Sequence, residues 1–103
     1  MRVVAVDLEM NQPSTRIIQI GAVCFQPDKG VLVDTFDRFV NPGEPIAPEI
    51  QTLTGIGDDN VRNMPTIGET STEFSAFKQR LHISPIGIVW GAGKSNDIRK
   101  NLR

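Results

Sequence analysis

In the stretch VVAVDLEMN (residues 3–11), an apolar run leads directly into two acids. Its apolar residues 3–6 indicate a buried strand, and Asp7 and Glu9 follow directly. Residues i and i+2 of a strand share a face, so the two carboxylates lie side by side while Leu8 points away. Because two like charges that close repel each other, a divalent cation is the usual compensation. The alternative, on this spacing alone, is a solvated strand end.

The composition is that of an ordinary globular protein. The chain has 103 residues, of which 39% are hydrophobic and 22% charged, and its net charge is −1. We therefore expect a single domain over residues 1–103, without a broadly basic surface, so a polyanion would have to bind locally or through metal ions. No apolar stretch is long enough for a signal peptide or a membrane span. Cys24 is the single cysteine, and we expect it to be a core residue. A lone cysteine suits a reducing compartment, so we expect a cytoplasmic protein with no membrane partner.

Three strands joined by short loops are predicted in the first part of the chain, over residues 2–9, 16–25 and 31–40. The second strand is apolar on both faces, which favours a central position in a sheet. The third strand alternates apolar and polar residues in its later half, which is typical of an edge strand. Short connections of this kind predict an antiparallel meander.

Helical segments follow the meander. Residues 44–65 carry three prolines, and we expect only short helical turns there, over 48–53 and 58–62. A longer helix is predicted to start at Thr66, because Thr66 and Glu69 have the spacing of a capping box. Its apolar stripe consists of Ile67, Phe74, Phe77 and Leu81.

A fourth strand, IGIVWG (residues 86–91), comes after this helix and should be buried and parallel to the first strand. A last helix is predicted from residue 95. The fold class is therefore α/β, with a mixed sheet whose first three strands are antiparallel, a fourth strand parallel to the first, and helices packed on the sheet. The active edge is expected where the first and fourth strands end side by side.

Two later motifs allow more than one interpretation. In TLTGIGDDNV (residues 52–61), physical reasoning gives a turn whose glycines permit unusual backbone angles and whose Leu53 and Ile56 act as apolar anchors. WGAGKSND (residues 90–97) ends like a phosphate-binding loop, but that motif needs a glycine at position 88, which is isoleucine. Asp97 is either an acid favoured by a helix dipole or a third carboxylate that returns toward the first pair.

Taken together, four segments resemble the DEDD 3′–5′ exonucleases, which have a ribonuclease H-like fold. The segments are AVDLEMN (5–11), RIIQIGAVCF (16–25), FVNPGEPIAPEIQTLTGI (39–56) and WGAGKSNDIRKNL (90–102). They occur in the order and approximate spacing of that family and span almost the whole chain. The "DLE" of the first segment is most similar to the RNA-directed 3′ exonucleases and their bacterial relatives.

The resemblance implies a two-metal mechanism acting on the 3′ ends of single-stranded RNA or DNA. It assigns catalysis and metal binding to three acids, Asp7, Glu9 and Asp97, with Asp7 bridging both ions. Two Mg²⁺ or Mn²⁺ ions, about 3.5–4 Å apart, would clamp the scissile phosphate. The segments expected to bind the terminal nucleotide contain Met10, Asn11, Leu53 and Thr54.

The family also needs a third motif, a His or Tyr followed four residues later by Asp. This sequence has no Tyr, and its single His82 is followed at that distance by Ile86. We therefore expect an incomplete domain whose carboxy-terminal part is missing and which has little nuclease activity by itself. The alternative function is a non-catalytic module on the same scaffold, which binds nucleic acid or protein and self-associates through uncovered sheet surface.

Overall fold

The computed structural model describes residues 1–83 and 88–90. Its strands and helices, in chain order, are β1 (Val3–Met10), β2 (Ile17–Gln26), β3 (Val31–Phe39), α1 (Pro48–Thr54), α2 (Asp58–Val61), α3 (Ile67–Arg80) and β4 (Ile88–Trp90). The first three predicted strands and the two helical turns are confirmed, each to within a residue at either end. The predicted last helix lies outside the described residues. None of the described helices is long and apolar enough to cross a membrane.

The strands form one mixed sheet in the order β3-β2-β1-β4. β2 pairs antiparallel with both β1 and β3. β4 runs parallel to β1, with Val4 opposite Ile88. The predictions of a central β2, an edge β3 and a fourth strand parallel to the first are therefore confirmed. This arrangement places β1, with its two acids, between β2 and β4.

One face of the sheet packs against α3 and forms the main core. Phe36 of β3 contacts both phenylalanines of the helix, with ring centroids 5.3 Å from Phe74 and 5.4 Å from Phe77. The other buried members of this core are Val4, Val6, Ile20, Ala22, Cys24, Val40 and Leu81. The prediction that Cys24 is a core residue is confirmed, since it is fully buried.

The amino terminus of α3 is capped as predicted. The Thr66 hydroxyl accepts a hydrogen bond from the Glu69 amide, and the Glu69 carboxylate accepts one from the Thr66 amide. The predicted apolar stripe is wrong at Ile67, which is 43% exposed. Burial along the helix begins one turn later at Thr70, whose hydroxyl donates to the Thr66 carbonyl at 2.8 Å and so is satisfied inside the core.

A second, smaller core lies beneath α1 and α2. Its buried residues are Ile18, Ile46, Ile50, Ile56 and Val61. Ile56 is thus an anchor as expected, but Leu53 is not, because it lies on the outer side of α1 and is 60% exposed. Gly55 ends α1 in the left-handed region, with φ of 76°, which reverses the chain between the two short helices.

Candidate functional site

The two acids of β1 lie on the face of the sheet opposite α3. Val4, Val6 and Leu8 alternate with them and pack toward the main core, so Asp7 and Glu9 share the other face. Glu9 is only 4% exposed and Asp7 is half-buried. A solvated strand end would leave both side chains exposed, and the burial of Glu9 therefore argues against that interpretation.

Neighbouring residues of β2 shape the space beside these acids. Gly21 lies directly opposite Asp7, and Gln19 lies opposite Glu9. A Cβ atom added to Gly21 would have no neighbour closer than the backbone oxygen of Asp7, at 3.8 Å. The glycine thus presents no side chain beside Asp7, whereas the Gln19 side chain donates to Asp37 of β3 at 2.9 Å.

The pairing of β1 with β2 is irregular where β1 ends. Glu9 pairs with Gln19, but Met10 pairs with Ile17, so the register shifts between Glu9 and Met10. Irregularities of this kind bend a strand and re-aim its side chains. Met10 is 38% exposed, and it lies at the surface next to the buried Glu9.

Asn11, the residue after β1, is almost fully buried at 1% exposed. Its side-chain nitrogen donates to Glu44 at 2.5 Å and to the Pro45 carbonyl at 3.0 Å. Its side-chain oxygen accepts from the Ala47 amide at 2.9 Å. Asn11 therefore connects the end of β1 to the segment that leads into α1.

Glu44 is the polar centre of this contact. Ser14 donates to the same carboxylate, and the Arg16 guanidinium lies 3.5 Å from its other oxygen. Hydrogen bonds from Ser14 and from Asn11, together with the Arg16 charge, hold the pKa of Glu44 below its ordinary value, although partial desolvation opposes them. The loop that follows β1 and residues 44–47 are consequently joined by charge-assisted bonds.

The two residues predicted on α1 have different environments. Leu53 presents an exposed apolar side chain. The Thr54 hydroxyl donates to the Ile50 carbonyl at 2.7 Å and accepts from the Ile56 amide at 3.1 Å. Thr54 therefore stabilises the end of α1, and Leu53 is a large apolar side chain that this helix exposes to solvent.

The structure brings together part of the predicted site. Asp7 and Glu9 share one face, and Met10 and Asn11 follow them. Asp97 lies outside the described residues, so the convergence of the three acids stays a prediction. Among residues 1–83 and 88–90, no group of three or more His, Cys, Asp or Glu side chains is placed to hold a metal ion.

Sequence reasoning missed Glu44 altogether. Its carboxylate and the Asn11 amide are 33 residues apart in the chain, and no periodicity or motif connects them. The only signal was the unusual run NPGEP (residues 41–45), which breaks regular structure and therefore needs side chains to satisfy its backbone groups.

The donor chemistry of the β1 acids fits a hard divalent cation. Mg²⁺ and Mn²⁺ prefer carboxylate oxygen ligands, and Asp7 and Glu9 offer them from one rigid strand. Because Gly21 has no side chain, it does not occupy the position beside Asp7 where further ligands, water or a phosphate oxygen would lie. Two carboxylates suffice for Mg²⁺ when substrate phosphate supplies other ligands.

Comparison with known families places the chain in a class. A family model described as RNase_T, exonuclease, matches residues 4–99. The chain therefore belongs to this family of DEDD exonucleases, which are hydrolases. The recognition made from the four sequence segments is confirmed.

Individual relatives agree with this class. The PolC-type DNA polymerase III of Halalkalibacterium halodurans is 39% identical over 62 residues, which is 60% of this chain and 4% of that protein. The chain therefore spans only a small part of that curated relative. Among solved structures, the nuclease domain of 3′hExo, a DEDDh family member bound to rAMP, gives a TM-score of 0.77 at 16% identity, covering 88% of this chain and 52% of that one.

A second solved structure, Exonuclease X in complex with 5′ overhanging duplex DNA, gives a TM-score of 0.62 at 22% identity, covering 70% of this chain and 42% of that one. At such identities the likeness shows the fold alone. The predicted ribonuclease H-like fold class is confirmed by these neighbours and by the mixed sheet.

Proposed function

We propose that the protein containing this chain is a metal-dependent 3′–5′ exonuclease that hydrolyses the terminal phosphodiester bond of single-stranded RNA or DNA. The observation that carries the proposal is the buried Glu9 beside Asp7 on one face of β1, in a chain of the exonuclease family. Asp97 is proposed as a third ligand, since it matches one further acid of the family pattern.

The residues of the chain have separate tasks in this proposal. Asp7 and Glu9 would hold Mg²⁺ or Mn²⁺, which when bound activates the attacking water and stabilises the leaving 3′ oxygen. Gly21 places no side chain beside Asp7, where the phosphate would lie. The exposed Leu53 offers an apolar surface on which the terminal base can pack, and the exposed Met10 directly follows Glu9 in the chain.

We propose the 3′ end of either RNA or DNA as the substrate. One solved neighbour carries rAMP, and another carries duplex DNA. We also propose a single domain over residues 1–103 and a cytoplasmic location, which the lone, buried Cys24 supports.

The test uses the intact protein with single-stranded RNA and DNA oligonucleotides labelled at the 5′ end, in Mg²⁺, in Mn²⁺ and in EDTA. We expect a ladder of products shortened from the 3′ end that disappears in EDTA. Asp7→Asn and Glu9→Gln should each lower the rate at least about 100-fold, since even the loss of outer-shell partners costs 10- to 100-fold.

Asp37→Asn is the matched control. Asp37 lies in the same cross-strand row as Asp7, with Gly21 between them, but about 10 Å away at typical strand spacing. Trimming should be unchanged in this variant. If Asp7→Asn trims as fast as the unsubstituted protein, the proposed function is wrong. Binding of the oligonucleotides without any trimming would instead support the non-catalytic module. Sedimentation would then show whether that module self-associates.

A further inference from the structure

The Asn11 side chain makes three hydrogen bonds within the protein, to Glu44, Pro45 and Ala47, just beyond the end of β1. The proposed chemistry gives it no direct task, because its side-chain amide is occupied within the protein. We propose that Asn11 is a positioning residue that fixes α1, and with it the exposed Leu53, relative to Asp7 and Glu9. This inference rests on the proposed exonuclease function and adds to it the device that sets the site's geometry.

On the strand side, Asn11 is held by its own backbone. Its amide donates to the Arg16 carbonyl at 2.7 Å, and its carbonyl accepts from the Thr15 amide at 3.0 Å. These bonds close the loop that follows β1. Asn11 also lies only two residues beyond Glu9. Moving its side chain relative to the two carboxylates would therefore break or distort the backbone bonds to Thr15 and Arg16.

On the helix side, the Asn11 side chain binds the residues that immediately precede α1. Ala47 is the residue that caps the helix, and its amide donates to the Asn11 oxygen at 2.9 Å. The adjacent Pro45 carbonyl accepts from the Asn11 nitrogen at 3.0 Å. A helix of seven residues has little stability of its own, so its position depends on such tethers and on the small core beneath it.

The chemistry of asparagine suits this task. One planar amide supplies both a donor and an acceptor, and residues 45–47 present one carbonyl and one amide to it. Alanine would leave the Pro45 carbonyl and the Ala47 amide without their side-chain partner. Aspartate would keep the acceptor but would lose the donor and would place a second negative charge beside Glu44.

The test is a double-mutant cycle in the intact protein, with Asn11→Ala, Leu53→Ala and the pair. The kcat/KM for trimming of a single-stranded oligonucleotide is measured on samples shown to be folded by circular dichroism. We expect Asn11→Ala to lower kcat/KM by about 10- to 100-fold, since misplacement by about 1 Å can cost that much. If Asn11 acts through α1, the two losses do not multiply in the pair.

Asn41→Ala is the matched control. Asn41 also uses its side chain to hold backbone, accepting from the Gly43 amide at 2.8 Å and donating to the Arg62 carbonyl at 3.1 Å, and neither of these two partners belongs to β1 or α1. This variant should keep its kcat/KM. The inference is overturned if Asn11→Ala behaves like Asn41→Ala, or if the losses from Asn11→Ala and Leu53→Ala multiply.

A second comparison covers the case in which Asn11→Ala does not fold. Asn11→Asp is compared with the double variant Asn11→Asp, Glu44→Gln, in which donor and acceptor at the 11–44 contact are exchanged. Partial recovery of kcat/KM in the double variant supports the positioning role, and recovery of stability without kcat/KM overturns it. Failure of the exonuclease proposal looks different, because the unsubstituted protein would then give no ladder or Asp7→Asn would retain it.

Discussion

The end of β1 carries two buried polar side chains, Glu9 and Asn11. The alternation of β1 made it possible to predict that Asp7 and Glu9 share a face. It did not predict that Glu9 would be 4% exposed, because burial depends on elements distant in the chain. The bonds of Asn11 to Glu44 and Ala47 were equally beyond sequence reasoning, since they span more than 30 residues of the chain.

Glu44 should make the stability of the protein depend on pH in the acid range. Its native pKa lies below the ordinary value of 4.5, so the stabilising contribution is fully present above 4.5 and is lost as the pH falls through the native pKa. Glu44→Gln should therefore be less stable than the unsubstituted protein at neutral pH, and this difference should shrink on acidification below 4.5.

Urea unfolding at a series of pH values between neutrality and the acid limit measures this difference. The control is Glu49→Gln, which replaces an exposed carboxylate on α1 and removes none of the bonds to Glu44. A stability difference between Glu44→Gln and the unsubstituted protein that stays constant on acidification would contradict the assignment of these bonds to an ionised Glu44.

At the scale of elements, the strands were the most predictable part. The apolar faces of residues 16–25 gave the central position of β2, and the Thr66–Glu69 pair gave the start of α3. The exposure of Ile67 and Leu53 was not predictable, because helical periodicity does not tell which turn of a helix is covered by neighbouring elements. The opposition of Gly21 and Asp7 depends on register, which the sequence alone did not fix.

Filling the space beside Asp7 should separate activity from stability. Gly21→Val should leave the protein at least as stable, because valine favours strands and the nearest atom to the new Cβ is 3.8 Å away. Its branched side chain would occupy the room proposed for the phosphate. We expect kcat/KM for oligonucleotide trimming to fall at least about tenfold, as measured beside the midpoint of urea unfolding.

Thr35→Val is the control for this substitution. Thr35 pairs with Val23 on β2 and is exposed on the edge strand, so valine there changes the same face of the sheet away from Asp7. Its trimming activity should be unaffected. Full activity in Gly21→Val would show that the space beside Asp7 is not used by substrate.

For the whole molecule, the sheet and α3 act as a rigid support for β1. Two ion pairs reinforce the aromatic contacts between β3 and the helix, Arg38 with Glu73 at 3.1 Å and Arg80 with Asp34 at 3.2 Å. Such exposed pairs contribute little each, so the buried rings dominate. The sequence could predict this packing because Phe36, Phe74 and Phe77 follow the strand and helix periods.

Metal binding should stabilise the folded protein as a whole. A ligand that binds only the native state adds about 2.7 kcal/mol to the free energy of unfolding at 100 times its Kd. We expect Mn²⁺ to raise the Tm of the intact protein and EDTA to reverse the rise. In Asp7→Asn the increase should be largely lost, whereas Asp37→Asn should retain it. An equal increase in all three proteins would place the ion elsewhere.

The division of the interior into two cores has a consequence for local unfolding. Among the described residues, the small core beneath α1 and α2 has five buried members, none of them from α3, so it can unfold locally at a lower free energy than the whole domain. Amide protons of α1 should consequently exchange with deuterated solvent sooner than those of β1 and β2. Such an opening would displace the exposed Leu53, while Asp7 and Glu9 stay fixed on their strand.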